Sequence, residues 1–148
     1  MPEFPDYDPS IAAAAAGYRD QTGIGAFLGI TTDDVGPGTM RCSVAVRDDL
    51  LNPFGLMHGG VVSALCDHML GAVCFPVIPR GTWSATQEFK LNLVAPVRDG
   101  TVIADAQIMS MSKRVVVVRI DVANRADNGS ERVVALAQGT VSLQVAPK

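Results

Sequence analysis

The stretch LMHGGVVSALCDHML, residues 56–70, places one carboxylate inside a run of apolar side chains. Gly59 and Gly60 stand where a helix would begin, and Asp67 follows two turns later. A carboxylate buried in an apolar helix lowers the stability of the fold unless it is paired with another group or has a functional role. Position alone leaves both interpretations open: a structural acid that caps or pairs, or an acid that acts as a base or nucleophile.

The spacing of the polar residues in this helix predicts a narrow stripe. Ser63 and Asp67 are four residues apart, and Gly60 lies seven residues before Asp67, so all three share one face. The other positions are apolar on all sides, which predicts a helix buried all round. A curled sheet would cover most of it, a partner subunit would cover the remainder, and the stripe would line a crevice.

Length and composition favour one globular domain. The chain has 148 residues, 48% hydrophobic residues and a formal net charge of −3. No basic block argues for nucleic acid. Its three cysteines form no CxxC pair, which favours a reducing cytoplasm over a disulfide scaffold or zinc site. The acidic, proline-rich start does not resemble a signal peptide, and Asp67 and His68 interrupt the longest apolar run, so no membrane span is expected.

The pattern along the chain predicts a loose arm over residues 1–10, a short helical segment over 11–27 with Ser10 as N-cap, and a core over 28–146. A strand is expected within residues 25–38, ending near the turn at 36–38. In residues 39–50 apolar side chains alternate with polar ones, which predicts a half-buried strand. The long helix should run from 59 to about 75, where Pro76 and Pro79 end it.

The remaining sequence predicts strand after strand, with turns at Asp99-Gly100 and Asn128-Gly129. Asp-Gly and Asn-Gly favour antiparallel hairpins over crossovers. The fold class predicted is therefore α+β, with an antiparallel sheet of about five to six strands wrapped around one long helix.

The motif NPFGLMHGGVVSALCD resembles the signature of the hotdog-fold acyl-CoA thioesterases of the phenylacetate-pathway type, within the 4-hydroxybenzoyl-CoA thioesterase superfamily. The positions in register with that signature are Asn52, Gly55, His58, Gly59, Gly60 and Asp67. Downstream, Thr86 two residues before Glu88 and the segment LNLVAPVRDG are also similar to the family. The resemblance covers roughly residues 41–145.

This resemblance implies hydrolysis of an acyl-CoA thioester. The Gly59 amide and the Asn52 side chain would polarise the thioester carbonyl. Asp67 would be the general base or nucleophile, and Thr86 would orient it or the water. His58 would either orient the loop through a backbone hydrogen bond or transfer a proton. No cofactor or metal is expected, because coenzyme A is part of the substrate.

Further residues are expected to contact the substrate. Gly60 lacks a Cβ that would block the acyl group, Ser63 lies on the polar stripe, and Phe54 flanks the presumed site. Basic side chains would hold the coenzyme phosphates at the rim. The expected basic residues are Lys90, Lys113 and Arg114.

The distance between Gly60 and Asp67 along the helix predicts how many subunits form one site. Gly60 and Asp67 are separated by roughly 10 Å along the axis, so one carbonyl cannot contact both. If both act, they come from different subunits, with two central helices antiparallel across a two-fold axis. The expected partner is a second copy of the chain, in a homodimer that pairs into a tetramer. No nucleic acid or membrane partner is expected.

Two other functions remain open. A hotdog-fold hydratase or dehydratase acting on enoyl or 3-hydroxyacyl thioesters would also use His58 and Asp67, although the proline-rich histidine loop of those enzymes is missing. A non-catalytic acyl-CoA-binding domain is the second. A cysteine nucleophile at Cys66 is disfavoured, because adjacent helical residues point apart. The acyl group stays unidentified; the aromatic residues near the site suit an aryl or medium-chain group.

Overall fold

The computed structural model describes residues 2–145, and it shows six antiparallel strands with one long helix against the sheet. The strand order is β1-β2-β4-β5-β6-β3. The strands are β1 Thr31–Gly36, β2 Thr39–Ala45, β3 Thr82–Leu93, β4 Thr101–Met111, β5 Val115–Arg125 and β6 Glu131–Val145. The helices are α1 Pro9–Ala15, α2 Gly23–Leu28 and α3 Gly59–Ala72, with 3₁₀ turns at Asp48–Leu50 and Phe75–Val77. The predicted α+β hotdog fold is confirmed.

The core lies between the sheet and α3. In β2 the side chains of Met40, Cys42 and Val44 are buried, as the alternation predicts, and they belong to the same core as Leu65 and Met69 of α3. Strands β4 and β5 show the same alternation of buried and exposed positions. A half-buried strand needs this period of two because successive side chains point to opposite faces.

Helix α3 is buried on one side only within a single chain. Leu65, Cys66 and Met69 are fully buried, whereas Gly60 and Asp67 are exposed. The predicted cover of α3 by the sheet is therefore confirmed for one side, and the exposed side is the one that the prediction assigned to a partner subunit. The stretch Gly59–Val77 is long and apolar enough to cross a membrane by length and composition. Half of that window is buried inside the protein, as is usual for the core helix of a folded domain.

The two predicted turns have different roles. Asn128-Gly129 joins the neighbouring strands β5 and β6, so that hairpin is confirmed. The hairpin predicted at Asp99-Gly100 is wrong, because β3 and β4 are not neighbours: β3 pairs with β6 at the sheet edge, and β4 pairs with β2 and β5. The connection crosses the end of the sheet, where the buried Asn124 amide donates to the carbonyls of Asp99 and Thr101.

The N-terminal segment packs onto the domain instead of forming a loose arm. Phe4 and Tyr7 contact the core, and the Asp8 N–H donates to the Pro76 carbonyl at 2.7 Å. The predicted N-cap is also displaced: the Asp8 carboxylate caps α1 by accepting from the backbone N–H and hydroxyl of Ser10. An earlier acid outcompetes Ser10 because its charge adds to the cap.

The expected helical segment over 11–27 consists of two short helices, α1 and α2, separated by irregular chain. Helix α2 occupies residues in which a strand was expected to begin, and the strand β1 starts only at Thr31. Gly29 ends α2 in the left-handed conformation with φ of 71°, a common way for a helix to stop.

Candidate active site at the start of the central helix

The histidine before α3 is its N-cap. His58 Nδ1 accepts the Gly60 N–H at 2.8 Å, and the His58 carbonyl accepts the Val61 N–H at 2.9 Å. An accepting Nδ1 carries no proton, which leaves Nε2 as the N–H donor of the ring. The Gly59 N–H has no hydrogen-bond partner among residues 2–145. Gly59, and not Gly60, therefore offers the open donor at the positive end of the helix dipole.

Asn52 forms the turn before the helix with one side of its carboxamide. Its Oδ1 accepts the backbone N–H groups of Phe54 at 2.9 Å and Leu56 at 3.2 Å. This leaves the two N–H donors of Nδ2 pointing away from the turn. Turn formation and carbonyl polarisation are thus compatible roles for the two atoms of one side chain. Phe54 lies at the turn tip, 83% exposed.

A crevice of about 310 Å³ opens beside Gly59. Asn52 and Gly59 line it together with apolar side chains and with the end of β3 and the chain after it, residues 93–97. A Cβ on residue 59 would lie 2.6 Å from Leu93 Cδ1, so a glycine fits against Leu93 here where a larger residue would force it to shift. The crevice therefore combines two donors with an apolar wall, as recognition of a carbonyl compound requires.

Asp67 lies on the open side of α3, with Gly60 and half-buried Ser63 on the same face, as predicted. Among residues 2–145 its carboxylate accepts no hydrogen bond and forms no ion pair. Eight residues separate it from Gly59, roughly 12 Å along the helix axis. The structure thus brings Asn52 and Gly59 to one crevice and leaves the carboxylate of the same chain away from it.

Strand β3 passes along α3 in the opposite direction. At one end the Ser84 hydroxyl donates to the Gly71 carbonyl at 3.0 Å; at the other, Leu93 lies over Gly59. A bulge between Thr86 and Glu88 interrupts the pairing with β6. Thr86 lies opposite the fully buried Val141 and so faces the helix, whereas Glu88 lies opposite Thr140 on the other face.

The three expected phosphate-binding residues do not form one cluster in the protomer. Lys113 and Arg114 are in the exposed turn between β4 and β5. Lys90 lies on the outer face of β3 at the level of Arg119 in β5. Arg119 is five residues from Arg114 along that strand, roughly 16 Å at the usual rise.

Cys66 is unsuited to nucleophilic attack. Its side chain is fully buried, and burial raises the pKa of its thiol to about 12. The thiolate is the reactive form. This agrees with the prediction that Cys66 is not the nucleophile.

A second crevice, of about 300 Å³, lies between α2 and the start of α3, and sequence reasoning missed it. His58 and Gly60 form part of its wall. On the α2 side its wall carries Ile24 and Phe27, which are 69% and 58% exposed. The sequence pattern predicts the end of a helix and the start of a strand over the segment GIGAFL, whereas the glycines at its two ends are the signal for a separate short helix.

Sequence comparisons relate the chain to thioesterases. A family described as the thioesterase superfamily matches residues 54–130. A protein of Halobacterium salinarum named "Putative esterase" is 30% identical over 139 residues, which cover 90% of this chain and 91% of that protein. Acyl-coenzyme A thioesterase 13 of Homo sapiens is 22% identical over 66% of this chain and 69% of that protein.

Solved structures show the same fold. A thioesterase family protein from Silicibacter pomeroyi superposes with a TM-score of 0.77 at 24% identity, covering 82% of this chain and 88% of that one. The PaaI protein from the phenylacetic acid degradation operon of E. coli gives a TM-score of 0.71 at 22% identity, covering 81% and 83%.

Proposed function

The chain belongs to the thioesterase superfamily, and from that premise we propose that it hydrolyses an acyl-CoA thioester to a free acid and coenzyme A. The observation that carries the proposal is the Gly59 N–H, which lacks a partner among residues 2–145 and lies at a crevice shared with Asn52. Hydrolysis of a thioester places negative charge on the carbonyl oxygen, and two preorganised donors stabilise that charge.

The attacking group is supplied by Asp67. As a general base it takes a proton from water, whose oxygen forms the new bond to the carbonyl carbon while the thiolate of coenzyme A leaves. As a nucleophile its carboxylate attacks the carbonyl carbon, the C–S bond breaks as the thiolate of coenzyme A leaves, and water then cleaves the resulting acyl anhydride to the free acid and the carboxylate. Thr86, on the helix-facing side of β3, orients the carboxylate or the water.

The protein acts as a homodimer, because Asp67 and Gly59 of one helix cannot serve one carbonyl. The outer edge of β3 has no strand partner among residues 2–145, and Trp83 and Leu93 on this strand are exposed. An edge of this length is normally covered. Pairing of two β3 edges sets two α3 helices antiparallel, so that the partner's Asp67 reaches the Gly59 crevice.

We also propose the substrate class and the cellular compartment in which the protein acts. Acyl-CoA is the small-molecule partner, and no further cofactor takes part. Cys42, Cys66 and Cys74 are free and buried, which suits the reducing cytoplasm.

The test is thiol release from a panel of acyl-CoA thioesters by wild type and by Asp67→Asn. Loss of the base or nucleophile should lower kcat by about a hundredfold or more, with little change in melting temperature because Asp67 is exposed. Asp33→Asn, an exposed acid on β1, is the matched control and should keep wild-type turnover. Wild-type turnover by a folded Asp67→Asn variant would contradict the mechanism.

The same assay separates the other two functions. Hydration of enoyl-CoA without thiol release would identify a hydratase, and acyl-CoA binding without any turnover would identify a binding domain. The oligomer is tested by light scattering: a fully active monomer would exclude the shared site.

A further inference from the structure

Two crevices flank the first turn of α3, and the proposed reaction uses only one of them. The first contains Asn52 and Gly59. The second lies on the far side of the His58–Gly60 cap, against α2. They measure about 310 and 300 Å³, the low end for a small-molecule site. Neither crevice is large enough for a whole acyl-CoA, so each can hold only one part of it.

Helix α2 is held in an unusual way for so short an element. Six residues do not make a stable helix alone. Arg47 anchors its end by donating to the carbonyls of Phe27 and Leu28. Leu28 is buried, yet Phe27 and Ile24 remain mostly exposed. The anchoring therefore fixes two large apolar side chains on the crevice wall.

The charges around the α2 crevice do not suit phosphate groups. Asp49 lines it, and Asp20 lies against Gly25 at the base of α2. The nearby cation, Arg47, is already engaged by Asp49 at 2.7 Å and by the two α2 carbonyls. An uncharged, apolar group is the compatible occupant.

The Asn52 crevice lies closer to basic side chains. Arg132 donates to the carbonyl of Pro96, which lines that crevice. Arg132 and Arg98 also line the adjoining hollow, with Asp99, whose carboxylate accepts the Asp127 N–H. Two arginines thus line a hollow next to the donor crevice, joined to it through the Arg132–Pro96 hydrogen bond, and guanidinium groups are frequent partners of phosphates.

We propose that the substrate crosses the first turn of α3, with its acyl chain in the α2 crevice against Ile24 and Phe27, and its coenzyme arm in the Asn52 crevice directed towards Arg132. This orientation rests on the proposed thioesterase function. It makes Ile24 and Phe27 determinants of acyl-chain specificity, and it assigns the coenzyme contact to a residue other than the three basic residues expected from the sequence.

Acyl-chain specificity is tested with saturated acyl-CoA substrates of increasing length on Ile24→Ala, Phe27→Ala and the control Met109→Ala. Met109 is an exposed apolar residue of β4, away from both crevices. Loss of apolar wall should lower kcat/KM for the longest accepted chain about tenfold relative to acetyl-CoA. The control should match wild type. Parallel length profiles in all four proteins would overturn the acyl assignment.

The coenzyme arm is tested by comparing Arg132→Gln on one acyl group carried by coenzyme A and by N-acetylcysteamine, which has no phosphates. KM should rise about tenfold for the coenzyme A thioester and stay unchanged for the truncated one. Arg41→Gln, on β2, is the matched control. Equal changes on both substrates would mean that Arg132 only supports the loop, and would overturn its assignment.

A binding measurement tests the acyl-chain subsite independently of whether the protein hydrolyses thioesters. Calorimetric titration of Asp67→Asn with a long-chain acyl-CoA, alone and combined with Phe27→Ala, measures occupancy without turnover. Weaker binding in the combined variant supports the subsite even if wild type releases no thiol. Unchanged affinity overturns the subsite even if wild type is an active thioesterase.

Discussion

The two ends of helix α3 differ in how their polar groups are satisfied. At the C-terminal end the Ser84 hydroxyl donates to the Gly71 carbonyl, and the chain beyond is tied down by the Asp8 N–H, which donates to Pro76. At the N-terminal end His58 occupies the Gly60 N–H, while the Gly59 N–H has no partner among residues 2–145.

This difference separates stability from function within one element. A helix end with its groups satisfied contributes to folding, and an open donor beside a crevice is available for a ligand. Changes at the N-terminal end should therefore affect turnover more than stability, and changes at the C-terminal end should do the reverse. Substitutions at Gly59, His58, Ser84 and Asp8 distinguish effects on turnover from effects on stability.

The largest effect is expected for Gly59→Ala. The new methyl group would lie 2.6 Å from Leu93 Cδ1, so Leu93 would have to shift within the crevice that it lines together with Gly59 and Asn52. We expect kcat/KM to fall by about a hundredfold, with little change in melting temperature. The double variant Gly59→Ala/Leu93→Ala relieves the contact, and its kcat/KM should fall by less than that of the single variant. Full activity in the single variant would show that the Gly59 amide needs no open approach.

Two substitutions of His58 distinguish a role as helix N-cap from a role as proton donor. His58→Ala leaves the Gly60 N–H without its acceptor and should lower the free energy of unfolding by about 1 kcal/mol in chemical denaturation. His58→Asn, which restores a capping oxygen, should recover that stability and most of kcat. If both variants instead lose about a hundredfold in kcat, His58 transfers a proton.

Ser84→Ala tests the C-terminal end. The variant removes the 3.0 Å hydrogen bond to the Gly71 carbonyl and should cost about 0.5 kcal/mol of unfolding free energy, since Ser84 is only partly buried. The kinetic constants on acyl-CoA should stay at wild-type values. A loss of kcat larger than the loss of stability would place Ser84 in the active site and weaken the contrast.

The smallest effect is expected at Asp8. Hydrogen bonds from Ser10 and then Arg80 lower the pKa of its carboxyl from 3.8 to about 2. A lowered pKa in the folded state stabilises the protein above pH 3.8, and that contribution is lost as the pH falls towards 2. Asp8→Asn keeps a capping oxygen without the charge. Its melting temperature should lie below wild type near neutral pH, and the two should converge at about pH 2. A constant difference would exclude the charge as the cause.

The local pattern predicted most of the fold. Alternation in β2 identified Met40, Cys42 and Val44 as core residues, and Gly59 marked where the long helix begins. The helix ends at Ala72, before the predicted end at about 75, and Pro76 lies in the 3₁₀ turn that follows. The Asp99-Gly100 hairpin failed because a turn signal describes four residues and not the partner of the next strand. Strand order depends on contacts between distant segments, which the local pattern does not contain.

The candidate site was predictable to the extent that it lies in one continuous segment. Asn52, Gly59 and Asp67 share a motif, and Asn52 and Gly59 meet at one crevice. Helix α2 and Arg132 come from remote parts of the chain, and only the folded structure brings them to the start of α3. Their residue types, apolar and basic surface side chains, are too common to predict a role on their own.

The bulge at residue 87 reverses which alternate positions of β3 face the helix. Even-numbered positions up to Thr86 face the helix, and odd-numbered positions from Phe89 onward do so. A regular strand would turn Phe89 outward and Lys90 inward. A single-residue insertion or deletion elsewhere in β3 would therefore exchange the two faces of a whole half-strand, whereas deletion of Gln87 would leave both halves facing as they do now. Over evolutionary time, length changes in this strand should be tolerated at that one position.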